Sequence, residues 1–295
     1  MLCRRAFLKF AAAPLSLAAA HPSARPPKVG LGEHRVSRLI AGGNTMRGFS
    51  HSSLKLSRHM MEYYTAPRIA AFLLHCERCG IDTFQSSYSD TVRDGILRAR
   101  DQGSKIQFIC LASNRERDWM AKVMPLKPIA IVHHGGVTDT LFRAGQAARI
   151  ADFLKAVHDA GVLAGMSSHN PDNLAKAEDA GWETSLYMAC FYNMSRTPEE
   201  LRAMLAGEEV LGEVFVASDP GRMTARIREI PKPCLGFKIL AAGRLAEDRK
   251  SLDAAFRFAY ASVKPGDACI VGMYNYFSDE VAEDAELAGK YSLPT

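Results

Sequence analysis

The chain has 295 residues, 47% of them hydrophobic and 23% charged, with a formal net charge of +5. Three of its cations, Arg4, Arg5 and Lys9, fall at the extreme N-terminus, and setting them aside leaves +2 (5 − 3). So small a balance, with no basic stripe, heptad run or low-complexity tract, argues against a nucleic-acid partner or a membrane-surface role and points to an ordinary globular protein.

The first element is a leader. "CRRAFLKFAAAPLSLAAAHPSA" places two arginines before Phe7, Leu8 and Lys9 and then an alanine-rich apolar run. That run, roughly 11 residues, is too short to span a bilayer. Ala18, Ala20 and Ala24 are small enough for a signal peptidase. The order Arg-Arg-x-Phe-Leu-Lys resembles a bacterial twin-arginine signal, so residues 1–24 are expected to engage the Tat export machinery and deliver the chain to the periplasm or outside the cell. No cysteine stands at the cleavage region, and no stable membrane anchor is expected. Of the seven cysteines, Cys3 belongs to this leader; the spacing of the others shows no disulfide framework, and Cys76 and Cys79 in "HCERCG" read as helix packing.

From residue 28 to 295 the pattern is that of one domain. Short apolar runs at 37–43, 82–87, 107–112, 130–134, 163–168, 185–192, 234–240 and 268–273 alternate with amphipathic stretches such as "PRIAAFLLHCERCG", "AARIADFLKAVHDAG" and "SLDAAFRFAYASV". Gly80 and Gly161 stand where helix ends favour a left-handed residue. Asn170 with Pro171, and Thr197 with Pro198 and Glu200, mark two helix starts. Eight strand–helix units over this length predict a (β/α)8 TIM barrel rather than an open doubly wound sheet, since no Gly-x-Gly-x-x-Gly follows the first strand. The extra apolar run "EVFVAS" (213–218) reads as part of an insertion between the sixth and seventh units.

In such a barrel the C-terminal ends of the strands line the active site. Asn44 and His51 follow the first strand, Gln85, Tyr88 and Asp90 the second, and His133, His134 and Asp139 the fourth. His169 and Asn170 follow the fifth, Tyr192 and Asn193 the sixth, Lys238 and Arg244 the seventh, and Tyr274 with Asn275 the eighth. Side chains alternate along a strand, so at most one of His133 and His134 faces the mouth. His51, His134 and His169 could ligate a divalent metal as neutral imidazoles, or each could serve as a hydrogen-bonding group. Lys238 could form a Schiff base if desolvated; binding an anion together with Arg244 is the favoured role.

At these residues the chain resembles the aldo/keto reductase superfamily. "VGLGEHRVSRLIAGGN" is similar to that family's opening, "CGIDTFQSS" to its second strand, "AGVLAGMSSHNPDNLAKAEDAG" to its fifth unit and "KPCLGFKILAAGRL" to its seventh. The resemblance implies an aldo/keto reductase-like barrel and NAD(P) chemistry through an Asp, Tyr, Lys and His tetrad. Here Gln85 replaces the aspartate, Asp90 stands near the tyrosine's place with Tyr88 displaced, Ala112 and Ser113 replace the lysine, and only the histidine survives, as His133 or His134, of which His134 before "GG" fits the match better. The match is nearer to a divergent group of exported reductase-like barrels, and implies a site around Asn44, His51, His134, His169, Asn170, Tyr192, Asn193 and Lys238.

These residues predict an exported enzyme acting on a small sugar, polyol or carbonyl compound, with a histidine-rich site in which either a metal or the histidine cluster itself polarises the substrate. His134, His169, Tyr192 and Lys238 are its catalytic candidates, and Asn44, His51, Gln85, Tyr88, Asn170, Asn193 and Arg244 its substrate-binding candidates. The competing readings are an NAD(P)-dependent oxidoreductase whose tyrosine comes from elsewhere, Tyr88 or Tyr192, and a barrel that binds a solute without catalysis.

Overall fold

A computed structural model describes residues 25–113 and 118–292; residues 1–24, read above as an export leader, lie outside the described residues. The chain opens with an antiparallel hairpin, β1 (Lys28–Leu31) and β2 (His34–Ser37). Eight parallel strands follow: β3 (Leu39–Gly42), β4 (Thr83–Ser87), β5 (Gln107–Ala112), β6 (Ala130–His133), β7 (Leu163–Ser168), β8 (Leu186–Cys190), β9 (Cys234–Phe237) and β10 (Ala268–Gly272). They close in sequence order, with β10 returning to β3, so the fold is a (β/α)8 TIM barrel. Each falls within an apolar run of the sequence. "EVFVAS" forms no strand and stays outside the barrel.

Alternation sorts the side chains into two cores. Ile40, Ile109, Val132, Leu186, Met188, Leu235 and Ile270 fill the barrel, while Leu31 and Val36 of the hairpin plug its N-terminal end. Gly32, at the hairpin turn with φ +57, lies so close to Leu163 that a Cβ would fall 2.8 Å from its Cδ2. Residues of opposite parity, among them Leu39, Phe84, Phe108 and Ile131, pack with the inner faces of the helices. The anticipated caps are present: Asn170 accepts the Asp172 N–H, and Thr197 with Glu200 forms a reciprocal capping box. Gly80 and Gly161 adopt positive φ.

The bottom of the barrel is tied by one cation. Arg38, buried just ahead of β3, donates to the carbonyls of Asp267 at 3.0 Å and Ser292 at 2.6 Å, and lies 5.2 Å from the Tyr260 ring centre. A third bond reaches the Lys264 carbonyl at 3.2 Å. The first barrel strand is thereby joined to the last turn of the chain. The six described cysteines, 76, 79, 110, 190, 234 and 269, are all buried and free. Burial raises every one of their thiol pKa values, to about 12 for Cys110, Cys190, Cys234 and Cys269. The packing role read for Cys76 and Cys79 agrees with this. Among the described residues no helix is long and apolar enough to cross a membrane.

Arg38→Met would orphan two buried carbonyls and one partly buried one. It is expected to lower stability by about 3 kcal/mol, seen as a fall in melting temperature of roughly 6–10 °C. An unchanged melting temperature would show that the tie contributes nothing.

Candidate functional site

A cavity of about 510 Å³ opens at the C-terminal end of the barrel, walled by the segments that follow β3, β9 and β10. Strand parity explains its lining. Gly42, Gln85, Phe237 and Gly272 share the inward register of the barrel core and form its floor and one wall. Asn44, Ser50 and His51 come from the loop after β3; Lys238 and Arg244 come from the segment after β9. Phe49, Leu56, Met60, Tyr274 and Phe277 give the opposite rim an apolar character.

Lys238 follows Phe237 and by alternation would point into the helix layer. Instead its backbone turns left-handed at φ 58, and its Nζ lies 2.6 Å from His51 Nε2. His51 is left-handed too, at φ 53. Non-glycine residues in this region store strain, and Ala241 and Ala242 beside them share it, so the mouth concentrates unfavourable backbone. The other side of the His51 ring meets Glu213, whose carboxylate oxygens lie 2.9 and 2.8 Å from Nδ1. A carboxylate only accepts, so Nδ1 carries the proton and Nε2 is left to accept from Lys238. Burial lowers the pKa of His51, reinforced by the charge of Lys238 and opposed by Glu213. Burial also lowers that of Lys238, with Arg244 adding to the effect. One proton is therefore shared between two bases that both resist charging.

Arg244 completes this side. Its guanidinium donates to the Ala241 and His51 carbonyls, each at 3.2 Å, and lies 4.0 Å from the Phe215 ring centre.

A second dyad lies outside the cavity lining, against Phe237. His169 donates Nδ1–H to Asp139 at 2.7 Å, and its ring meets Phe237 edge-on at 5.7 Å. Asp139 is buried and also accepts from the Ser168 hydroxyl at 2.5 Å, the His169 backbone N–H at 3.2 Å and Asn173 at 3.0 Å. Four donors fix this carboxylate, and it fixes the imidazole.

The remaining candidates are placed elsewhere. His133 ends β6 pointing outward; it is fully buried, 2.7 Å from the Thr138 hydroxyl and edge-on to Phe153. His134 is exposed, caps the helix Gly135–Arg143 through its backbone and does not line the cavity. The residue read from the sequence as the catalytic histidine is thus placed at a helix start, outside the cavity lining. Tyr192 is buried against Phe215 at 5.1 Å, outside the cavity. Tyr88 gives its hydroxyl to Asp90 at 2.9 Å and receives Arg93 at 3.1 Å. Asn170 is spent as a helix cap, and Asn193 accepts from the Ser195 N–H and hydroxyl at 3.1 and 2.7 Å. Of the substrate-binding candidates, Asn44, His51, Gln85 and Arg244 meet in the cavity, joined by Lys238. Glu213 was missed; the apolar run that begins with it was the sole signal.

Two groups implied by the sequence meet this geometry differently. A metal held by His51, His134 and His169 does not fit: both nitrogens of His51 are engaged, His134 lies apart, and no set of three or more His, Cys, Asp or Glu among the described residues is placed to hold an ion. For a nicotinamide dinucleotide the cavity offers Lys238 and Arg244, but neither Tyr88 nor Tyr192 reaches it. Tyr274 does, with its hydroxyl bonded to His59 Nδ1 at 2.6 Å. The tetrad's proton donor is thus not reproduced.

No protein-family model matches the chain, and a search of curated proteins finds no match. The fold is similar to that of Gox0644 in its apo form, with TM-score 0.53 and 11% identity over 92% of this chain and 96% of that one. A Gox0644 variant in complex with NADPH gives 0.53 and 12% over 90% and 88%. An N-acetylneuraminic acid synthetase from Leptospira borgpetersenii serovar Hardjo-bovis, in complex with citrate, gives 0.51 and 9% over 92% and 90%. At such identities these likenesses establish the barrel alone.

Asp139→Ala would leave the Ser168, His169 and Asn173 donors facing a void. It is expected to lower stability by about 3 kcal/mol, read as a reduced urea midpoint at unchanged slope. An unmoved midpoint would show that Asp139 is not the anchor of His169.

Proposed function

We propose that this barrel is an acid–base enzyme acting on a small hydroxylated carbonyl compound, such as a sugar or polyol derivative, with proton transfer carried by Lys238 and His51. The observation that carries the reading is the 2.6 Å contact between Lys238 Nζ and His51 Nε2 at a cavity wall. A lysine held below its ordinary pKa gives up a proton more readily than a free one, and a neutral imidazole beside it can take one. A substrate hydroxyl or carbonyl oxygen meeting the remaining N–H groups of Lys238 would receive a hydrogen bond as negative charge develops on it. Arg244 supplies a permanent cation for an anionic substrate group. Asn44 and Gln85 offer amides that both donate and accept, suited to hydroxyl groups. The Asp139–His169 dyad presents a second fixed imidazole next to Phe237.

The reading includes export, resting on the twin-arginine pattern of Arg4 and Arg5. It keeps the resemblance to aldo/keto reductases as one of scaffold. The NADPH held by the Gox0644 variant makes nicotinamide binding the reading to test beside it; Lys238 and Arg244 would then face the dinucleotide's phosphates, and the cofactor would supply hydride.

Lys238→Met is expected to reduce kcat by about 10²–10⁴-fold with the fold intact by circular dichroism. Full turnover in that variant, on whichever sugar, polyol or carbonyl substrate the wild type accepts, would sink the proposal. The pH dependence has a defined sign. Because the pKa of His51 is lowered, the imidazole stays neutral until the pH falls below the ordinary histidine value of about 6.5. Below that point a second cation faces Lys238 and the acceptor is lost, so kcat/KM should fall on an acid limb lying under 6.5; a limb centred above it would contradict the assignment. Replacing Arg4 and Arg5 together by lysine is expected to retain the protein in the cytoplasmic fraction of its host, and unchanged export would remove the twin-arginine reading.

A further inference from the structure

Between β8 and the helix Asp219–Glu229 the chain leaves the barrel. From Asn193 to Ser218 no residue is buried, the short helix Pro198–Met204 included. Residues 205–217 then run without helix or strand. The stretch turns at Ala206, Gly207 and Gly212, with φ of 54, 91 and 120. A Cβ at either glycine would meet nothing within 4 Å, so glycine serves the backbone there and not the packing.

Directly after the second glycine, two side chains return to the mouth. Glu213 takes the Nδ1–H of His51. Phe215 lies between the Tyr192 ring at 5.1 Å and the Arg244 guanidinium at 4.0 Å. Neither lines the cavity; they hold its wall from behind. The Glu213 side chain is 41% exposed, so its bond to His51 belongs to the weak, solvent-screened class.

We propose that residues 205–217 form a hinged strap and that Glu213 is a positioning residue for the reaction. This rests on the reading of His51 and Lys238 given above. Nε2 of neutral His51 accepts from Lys238 only while the ring proton sits on Nδ1, and the docked carboxylate keeps it there. When the strap undocks, the imidazole loses that constraint and Arg244 loses its aromatic partner in the same motion. Arg244 also donates to the His51 carbonyl, so the anion-binding cation and the base are governed by one segment. The charged and titratable groups that act on His51 are Lys238, Glu213, His169 and Arg244. A carboxylate carried on a hinged loop lets substrate entry be coupled to proton placement.

The test needs no substrate. Nitrogen-15 spectra of histidine-labelled mature protein at about pH 8, where imidazole is neutral, should show His51 as the Nδ1–H tautomer, the signal being assigned with His51→Gln. Glu213→Ala and Phe215→Ala should each convert it to a mixture and speed amide exchange across 206–216 by roughly tenfold or more. Glu213→Gln, which keeps an acceptor, should restore most of the Nδ1–H form. An unchanged tautomer in both alanine variants, or strap amides that exchange in the wild type as slowly as the barrel strands, would overturn the proposal. The two failures are separable: an active Lys238→Met enzyme defeats the reaction scheme and leaves the tautomer result standing. An unmoved tautomer defeats the strap and leaves Lys238 in its role.

Discussion

The parallel pairing of β10 with β3, running from Cys269 against Leu39 to Gly272 against Gly42, converts eight strand–helix units into one closed surface. It is also closely packed where it reaches the mouth. A Cβ on Gly42 would stand 3.1 Å from both the Gly272 nitrogen and the Val271 carbonyl, so a side chain there would press on the seam. Both glycines then face the cavity, and the room they leave is room for a ligand. Closure and cavity are two results of one packing constraint. Arg38 holds the same seam from the opposite end, so this tie and the cavity occupy separate poles of the barrel.

The two histidine dyads share a plan and differ in how firmly they are held. His51 and His169 each give Nδ1–H to a carboxylate and keep Nε2 as an acceptor. Asp139 is buried and saturated by four donors. Glu213 is exposed and makes its bond from a segment with no buried residue. One imidazole is fixed by the core, while the other is adjusted from outside it. The adjustable one touches the lysine. Strain follows the same division, since His51, Lys238, Ala241 and Ala242 all sit in left-handed backbone around the cavity, whereas the strand that leads to His169 is regular.

Much of the architecture was legible because its signals are local. Each barrel strand lies within an apolar run bounded by polar or glycine residues, and the caps at Asn170 and Thr197 follow from side chains two or three positions away from their partners. The site was less legible, for reasons visible at particular residues. Alternation left room for one of His133 and His134 to face the mouth, but the strand ends at His133, and His134 begins the next helix as its N-cap. Lys238 was recognised by its place near the end of the seventh run; the left-handed turn that redirects it leaves no trace in composition. Glu213 pairs with a residue 162 positions away, from a stretch that forms no regular element. No period or spacing rule connects such partners.

The sealed cysteines carry a consequence for where such a protein can operate. All six described thiols lie inside the packed layers, where burial suppresses the thiolate that any disulfide exchange requires. Their fold has no cross-link to gain from an oxidising compartment and no reactive sulfur to lose there. With respect to these residues the barrel is indifferent to the electron balance of its surroundings: it can be completed in a reducing cell interior and carried across a change of redox potential without altering a covalent bond.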